Sequence, residues 1–101
     1  MATKKKAEQF VITRGSQTGV QCGYLVSDTA AGVVLREARQ IWRFGGAETL
    51  QEVAAKGASM TEKTRISQPA PALSTLRRDD VASIIECSAE AEGNLRQSRW
   101  L

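Results

Sequence analysis

The chain has 101 residues, of which 42% are hydrophobic, 25% charged and 5% aromatic. This length suits one domain, and the composition is that of a folded domain and not of a disordered chain. The sequence contains no histidine and two cysteines. These counts argue against imidazole acid–base catalysis, histidine-containing zinc sites, a four-thiolate metal site and a disulfide framework. We therefore expect no enzyme activity, no catalytic residues, no metal and no cofactor.

The net charge of +3 is concentrated near the start of the chain. Lys4, Lys5 and Lys6 supply three of the 14 basic residues, and the rest of the chain carries 11 charges of each sign. Nucleic-acid binding is not expected, because a binding domain usually carries a basic stripe on its folded part. No apolar segment reaches the roughly 18–20 residues that span a bilayer. We predict a flexible basic tail at residues 1–8, a single domain at 9–101, no membrane association and a cytoplasmic location.

The first half of the chain is predicted to form four strands. Val20, Cys22 and Tyr24 alternate along the second strand and should share one face, while Gly23 indicates a bulge or bend. A turn with two glycines at 15–19 and a turn at 27–32 with Asp28 and Gly32 as its corners separate the strands. The predicted strands are Gln9–Arg14, Val20–Val26, Val33–Arg36 and Ala38–Phe44.

The second half combines helices with short strands. Glu48–Lys56 has apolar residues at helical spacing, and Gly57 follows at the position that favours glycine after a helix. Thr64–Ser67 is a strand candidate that Pro69 and Pro71 keep from being long and central. Residues 81–87 fit either a strand or a capped helix, and their β-branched content favours the strand. Residues 88–97 form a second helix candidate with Ser88 as N-cap.

These elements together predict the α+β class. The architecture is a small antiparallel β-sheet or partly open barrel of five or six strands with one or two helices.

Arginine and tryptophan form the most suggestive cluster for ligand binding. Arg36, Arg39 and Arg43 flank Trp42, and a second pair follows at Arg99 and Trp100. Guanidinium groups grip phosphate oxygens bidentately and an aromatic ring stacks on a base, so the combination suits a nucleotide. The alternative is a solvated strand face with Trp42 in the core. The predicted ligand-binding residues are Arg39, Trp42, Arg43, Arg99 and Trp100.

The spacing of the two strand arginines sets a size for the ligand. Arg39 and Arg43 are four residues apart on a strand, so they share a face and lie about 13 Å apart at ~3.3 Å per residue. That separation suits the two ends of a dinucleotide-sized ligand. Cys22 and Cys87 are expected to be buried apolar residues, because no base that could activate a thiol accompanies them.

Several segments resemble a family of small phage and prophage proteins. The most specific is Ala38–Trp42, followed by the Gly-Ala start of the first helix at 46–50. Gln40 and Arg43 depart from the family pattern, which has a second arginine and an aromatic residue there. The other matching segments are Phe10–Arg14, Gly23–Leu25, Val33–Leu35, Ile84–Ser88 and the terminal tryptophan. In size and in its use of arginine and tryptophan, the family is similar to the Thoeris anti-defence sponges, which sequester cyclic ADP-ribose-type signals.

The resemblance implies a phage counter-defence protein of the host cytoplasm. Such a protein would bind and sequester a host cyclic nucleotide immune signal, either cyclic ADP-ribose-like or a cyclic oligonucleotide, without cleaving it. A chain of 101 residues encloses little volume, so a pocket between subunits, and hence a homo-oligomer, is expected. The alternative function is a protein-binding inhibitor of a host defence enzyme, with Trp42 or Trp100 as its anchor.

Overall fold

The computed structural model describes residues 8–17, 19–43, 49–58 and 64–96. Within these ranges the chain forms six strands and two helices in the order β1-β2-β3-α1-β4-β5-β6-α2. The strands are β1 (Phe10–Gly15), β2 (Gly19–Thr29), β3 (Gly32–Arg43), β4 (Arg65–Ile66), β5 (Ser74–Leu76) and β6 (Val81–Glu86), and the helices are α1 (Leu50–Lys56) and α2 (Ala89–Arg96).

The strands form an antiparallel sheet in the order β4-β3-β2-β1-β6, and β5 pairs with the first part of β3. β1, β2 and β3 are consecutive hairpin neighbours, whereas β6 returns to pair with β1. The sheet is not closed into a barrel. The predicted α+β class, with a small antiparallel sheet and two helices, is confirmed.

β3 is one strand of 12 residues, where the sequence predicts two. The predicted break falls at Glu37, whose φ of 56° marks a local bend inside a continuous strand. In the β2–β3 ladder Gly23 alone opposes Glu37 and Ala38, so the irregularity predicted at Gly23 is present and its extra residue lies on β3. A side chain at Gly23 would lie 3.1 Å from the Cα of Ala38, which explains why the bend needs glycine there.

The segment from β4 to β5 follows the edge of β3. Ser67 N–H donates to the Gln40 carbonyl at 2.9 Å, and Ala70 N–H donates to the Ala38 carbonyl at 2.8 Å. Pro69 and Pro71 interrupt this contact, because a proline has no N–H to donate. The prolines therefore divide one edge segment into the short strands β4 and β5, of which the sequence predicted only the first.

Both helices begin with a side-chain N-cap, which is Thr49 for α1 and, as expected, Ser88 for α2. The Thr49 hydroxyl accepts from Glu52 N–H at 3.2 Å, and Ser88 accepts from Ala91 N–H at 3.0 Å. These contacts satisfy N–H groups that the first turn of a helix leaves unpaired. Gly57 ends α1 with φ at 90°, a conformation that glycine adopts without strain.

Two hydrophobic cores lie on opposite sides of the sheet. The first, which we call the helix core, joins strand residues to Val53, Ala54, Ala91 and Leu95 of the two helices. The second, the strand core, is built from Val11, Val33, Leu35, Ala38, Leu76 and Val81. Val20, Cys22 and Tyr24 all contribute to the helix core, which confirms that they share a face.

No helix in the described ranges is long and apolar enough to cross a membrane. The predicted tail falls largely outside these ranges. Its last residue, Glu8, lies 2.7 Å from Arg36 in an ion pair.

Candidate ligand-binding groove

Of the five predicted ligand-binding residues, Arg39 and Trp42 have side chains in the described part of the chain. Arg39 is half-buried opposite Cys22 in the β2–β3 ladder, so it lies on the helix-core face. Trp42 is 61% exposed, which makes the alternative of a core tryptophan wrong. Arg43 ends β3, and its side chain is outside the description, as are Arg99 and Trp100.

Most arginines with described side chains are already engaged with other groups of the protein. Arg77 pairs with Asp79 at 2.9 Å, and Arg78 pairs with Asp28 at 2.8 Å. Arg39 also interacts within its own chain, and its charge acts on the Cys22 thiol. These partners reduce the capacity of each guanidinium to bind an external anion.

Arg36 and Arg96 both contact the ring of Tyr24. The Arg36 guanidinium lies 4.5 Å from the centre of the Tyr24 ring, and the Arg96 guanidinium lies 5.8 Å from it. The Tyr24 hydroxyl donates to Glu92 at 2.7 Å. Burial and this hydrogen bond raise the pKa of Tyr24 to about 12, so the group stays neutral and holds α2 against the sheet.

Arg14 differs from these arginines. Its side chain is exposed, and among the described residues it has no carboxylate or aromatic partner. In the sheet it is the direct partner of Val20 in β2 and of Ser83 in β6. Because directly opposed residues point to the same face, these three side chains form a row across three strands.

This row borders an open groove of about 420 Å³ between the sheet and the start of α1. Val20, Leu50 and Ile85 pack on the helix core and form an apolar floor. The described lining residues are Arg14, Val20, Thr49, Leu50, Gln51, Ser83 and Ile85. The volume falls within the roughly 300–1,000 Å³ of small-molecule sites.

The polar groups of the groove suit an anion. Arg14 supplies a charged donor fork, and Ser83 and Gln51 supply a hydroxyl and an amide. No carboxylate stands among the described lining residues to repel a negative charge. An anionic group could therefore sit at Arg14 while an apolar or flat part of the same ligand covers Leu50 and Ile85.

A second cavity of about 420 Å³ is less suited to an anion. Its described lining residues are Gln17, Arg77, Asp79 and Asp80. Arg77 is already paired with Asp79, and the Asp80 carboxylate accepts from the Ser16 hydroxyl at 2.9 Å and from Gln17 N–H at 3.1 Å. Two carboxylates and one guanidinium give this cavity a net negative charge, which disfavours the binding of an anion.

The groove residues carry little signal in the sequence. Arg14 stands alone before a turn, and Ser83 lies about 70 residues further along the chain. Only the pairing of β1 with β6 brings them together. A strand-end arginine without a nearby carboxylate in the sequence was the one available clue.

The two cysteines are free and buried, as expected from the sequence. Burial raises the pKa of both thiols to about 12, and their mutual proximity adds to the rise at Cys22. A thiol of this kind carries almost no thiolate near neutral pH. In the described ranges no three potential metal-ligating side chains of Asp, Glu, Cys or His lie together.

The chain belongs to the DUF6948 family, described as a domain of unknown function, whose model matches residues 8–95. No curated protein and no solved structure matches the chain. The resemblance to phage proteins and to the Thoeris anti-defence sponges stays a prediction.

Proposed function

For this member of the DUF6948 family, we propose a non-catalytic binding protein that holds a small anionic ligand in the groove between α1 and the sheet. The observation that carries the proposal is Arg14. Among the described residues Arg14 has neither a carboxylate nor an aromatic partner, and it borders the groove. A guanidinium that has no such partner in the described part of the chain and lies above an apolar floor favours a ligand with both an anionic group and a flat or apolar part.

The specific ligand class that we propose is a cyclic nucleotide signal, sequestered without cleavage. A nucleotide combines a phosphate for Arg14 with a base that can cover Leu50 and Ile85. The groove residues include no general base and no ionised thiol in the described ranges, so they support binding and not hydrolysis. Under this proposal the protein acts in phage counter-defence in the host cytoplasm, which is the role that the sequence resemblance implies.

Calorimetric titration with cyclic ADP-ribose and with cyclic dinucleotides tests the proposal. Arg14→Gln should weaken binding about ten-fold or more, because a charge-assisted contact contributes roughly 1.5–3 kcal/mol. Arg77→Gln is the matched control, since Arg77 is an exposed arginine of the other cavity, and should leave affinity unchanged. The recovered nucleotide should be chemically intact by mass spectrometry.

The same titration separates the groove from the residues predicted from sequence. If Arg39→Gln or Trp42→Ala abolishes binding while Arg14→Gln does not, the ligand lies on β3 and the groove assignment is wrong. If no nucleotide or other small anion binds the wild-type protein at millimolar concentration, the proposed function itself is wrong.

Trp42 supports a second candidate function, a protein-binding inhibitor of a host defence enzyme. Trp42 is 61% exposed and so does not belong to a core. Exposed tryptophans are frequent among the residues that anchor a protein–protein interface. A purified TIR-domain enzyme is the probe. Trp42→Ala should abolish its inhibition by this protein while Arg14→Gln leaves inhibition unchanged, the reverse of the pattern expected for nucleotide binding.

A further inference from the structure

The two edges of the sheet are protected to different degrees. On one edge, β4 has two residues and β5 has three, and Pro69 and Pro71 lie between them. Short strands and prolines are the usual features that prevent an edge from pairing with another chain. This edge is therefore a poor surface for strand addition.

The other edge is β6, and it lacks those features. β6 has six residues, Val81–Glu86, and pairs with β1 but with no other described strand. It contains no proline and no lysine, and its one charged residue is Glu86 at the end. The small side chains of Ala82 and Ser83 are exposed, so they leave room for a neighbouring backbone to approach.

We propose that a second copy of this chain pairs with β6 in an antiparallel manner around a two-fold axis. Antiparallel pairing is compatible with that symmetry, because a strand presents the same edge to its own copy after a two-fold rotation. With the axis at Ile84, Glu86 lies opposite Ala82 of the second copy, and the two Glu86 residues are about 13 Å apart at ~3.3 Å per residue. Like charges therefore do not oppose each other, and the paired segments are otherwise uncharged.

The pairing has a consequence for the groove. Ser83 and Ile85 belong to β6 and line the groove, so a second strand beside β6 extends the wall next to them. The open groove of one chain becomes deeper in the dimer. The dimer itself rests on the strand edges alone, and only this consequence rests on the proposed function.

Light scattering after size-exclusion chromatography tests the proposal at concentrations between 10 and 200 µM. The wild-type protein should have about twice the 11.0 kDa mass of one chain. Ser83→Lys places a charge at the centre of the edge and should shift the protein to the single-chain mass. Thr75→Lys, an exposed position on β5, is the matched control and should leave the mass doubled. Ala82→Asp repeats the test at a second exposed edge position in case the first variant fails to fold, because it places a carboxylate opposite Glu86 of the second copy.

A wild-type protein of single-chain mass at 200 µM overturns the proposal, and so does a dimer that Thr75→Lys dissociates while Ser83→Lys and Ala82→Asp do not. Ser83→Ala separates the dimer from the ligand site, because it removes the hydroxyl from the groove without adding charge to the edge. A dimer that binds no nucleotide overturns only the proposed function. A monomer that binds nucleotide through Arg14 overturns only the dimer.

Discussion

The two cores are closed by different kinds of contact. The helix core is covered by α1 and α2, which are joined by side chains that bond to backbone groups. The Ser88 hydroxyl donates to the Ala55 carbonyl at 2.6 Å, and the Asn94 amide bonds to both the N–H and the carbonyl of Ala58 at 2.9 Å. Each contact ties α2 to the end of α1.

The strand core, by contrast, is closed by the sheet itself. A turn at residues 77–80 leads from β5 to β6, so the chain crosses from one side of this core to the other. Asp80 ties that turn to the β1–β2 connection, and the Arg78–Asp28 ion pair ties it to β2. A few directed hydrogen bonds therefore close the helix core, whereas continuous strand pairing closes the strand core.

Truncation of one leucine in each core tests most directly whether the two cores are independent. Leu35 in the strand core and Leu95 in the helix core are both fully buried. Changing either to alanine should lower the free energy of unfolding by about 3 kcal/mol, because each leaves a cavity. In hydrogen exchange, Leu95→Ala should accelerate the helix amides first, while Leu35→Ala should accelerate β3 and β5 first. A uniform acceleration in both variants would mean that the two cores form a single cooperative unit.

Gly57→Ala tests the joint between the helices. Gly57 has φ at 90°, and a Cβ there would overlap the Asn94 side chain. The substitution should lower the free energy of unfolding by about 2–3 kcal/mol, because it adds backbone strain and displaces the Asn94 amide. Urea denaturation provides the measurement.

The control for that substitution is Gly93→Ala. Gly93 lies inside α2, and nothing is within 4 Å of the position that its Cβ would occupy. Alanine there should raise stability by about 0.5–1 kcal/mol, because it favours the helix over the unfolded chain. Equal changes in the free energy of unfolding for the two glycine variants would show that Gly57 is not required to avoid a steric conflict with Asn94.

Thr13→Val tests how a buried hydroxyl on the strand-core side of the sheet affects stability. Thr13 is fully buried, and its hydroxyl has no hydrogen-bond partner in the described structure. Because a buried unpaired hydroxyl is costly, valine should stabilise the protein by about 1 kcal/mol. Thr13→Ser keeps the hydroxyl, loses the methyl group and should destabilise. A valine variant that is less stable than the wild type would show that the hydroxyl has a partner.

Alkaline pH should weaken the helix core. Both cysteines belong to it, and their thiol pKa rises from 9.0 to about 12 in the folded protein. Between these values the unfolded thiols ionise while the folded ones do not, so stability is full below pH 9 and falls as the pH rises toward 12. Tyr24, with its pKa raised from 10.0 to about 12, contributes in the same direction above pH 10.

The measurement is the urea midpoint between pH 8 and 11. Cys22→Ala should flatten the fall without removing it, because Cys87 and Tyr24 remain. In the native protein at pH 8, both thiols should react with iodoacetamide far more slowly than in the unfolded chain. Rapid labelling of native Cys22 would contradict the burial on which the pH effect depends.

Local patterns in the sequence were enough to predict most elements of the fold. β-branched and aromatic content identified β1, alternation supported β2, helical spacing identified α1, and β-branched content correctly favoured a strand at 81–86. The split of β3 at Glu37 was wrong, because a polar residue in the αL region bends a strand without ending its ladder. β5 was missed because three residues next to two prolines give too short a pattern to recognise.

The candidate site was much less predictable than the fold. The cluster of arginines around Trp42 is adjacent in sequence, and adjacency on a strand places alternate residues on opposite faces. Arg39 and Trp42 accordingly have different surroundings, one half-buried and one exposed. Arg14, Ser83 and Leu50 meet through long-range pairing and helix packing, which no local pattern records.

The return of β6 to β1 has a consequence for how the protein folds. Val11 pairs with Glu86 across 75 residues, whereas β1, β2 and β3 pair through short connections. Closing a long loop costs more chain entropy than closing a hairpin, so the three-strand meander should form early and the β1–β6 ladder late. During synthesis, β1 would then wait with one edge open until the last fifth of the chain emerges, and a chaperone that covers such an edge should raise the yield of folded protein.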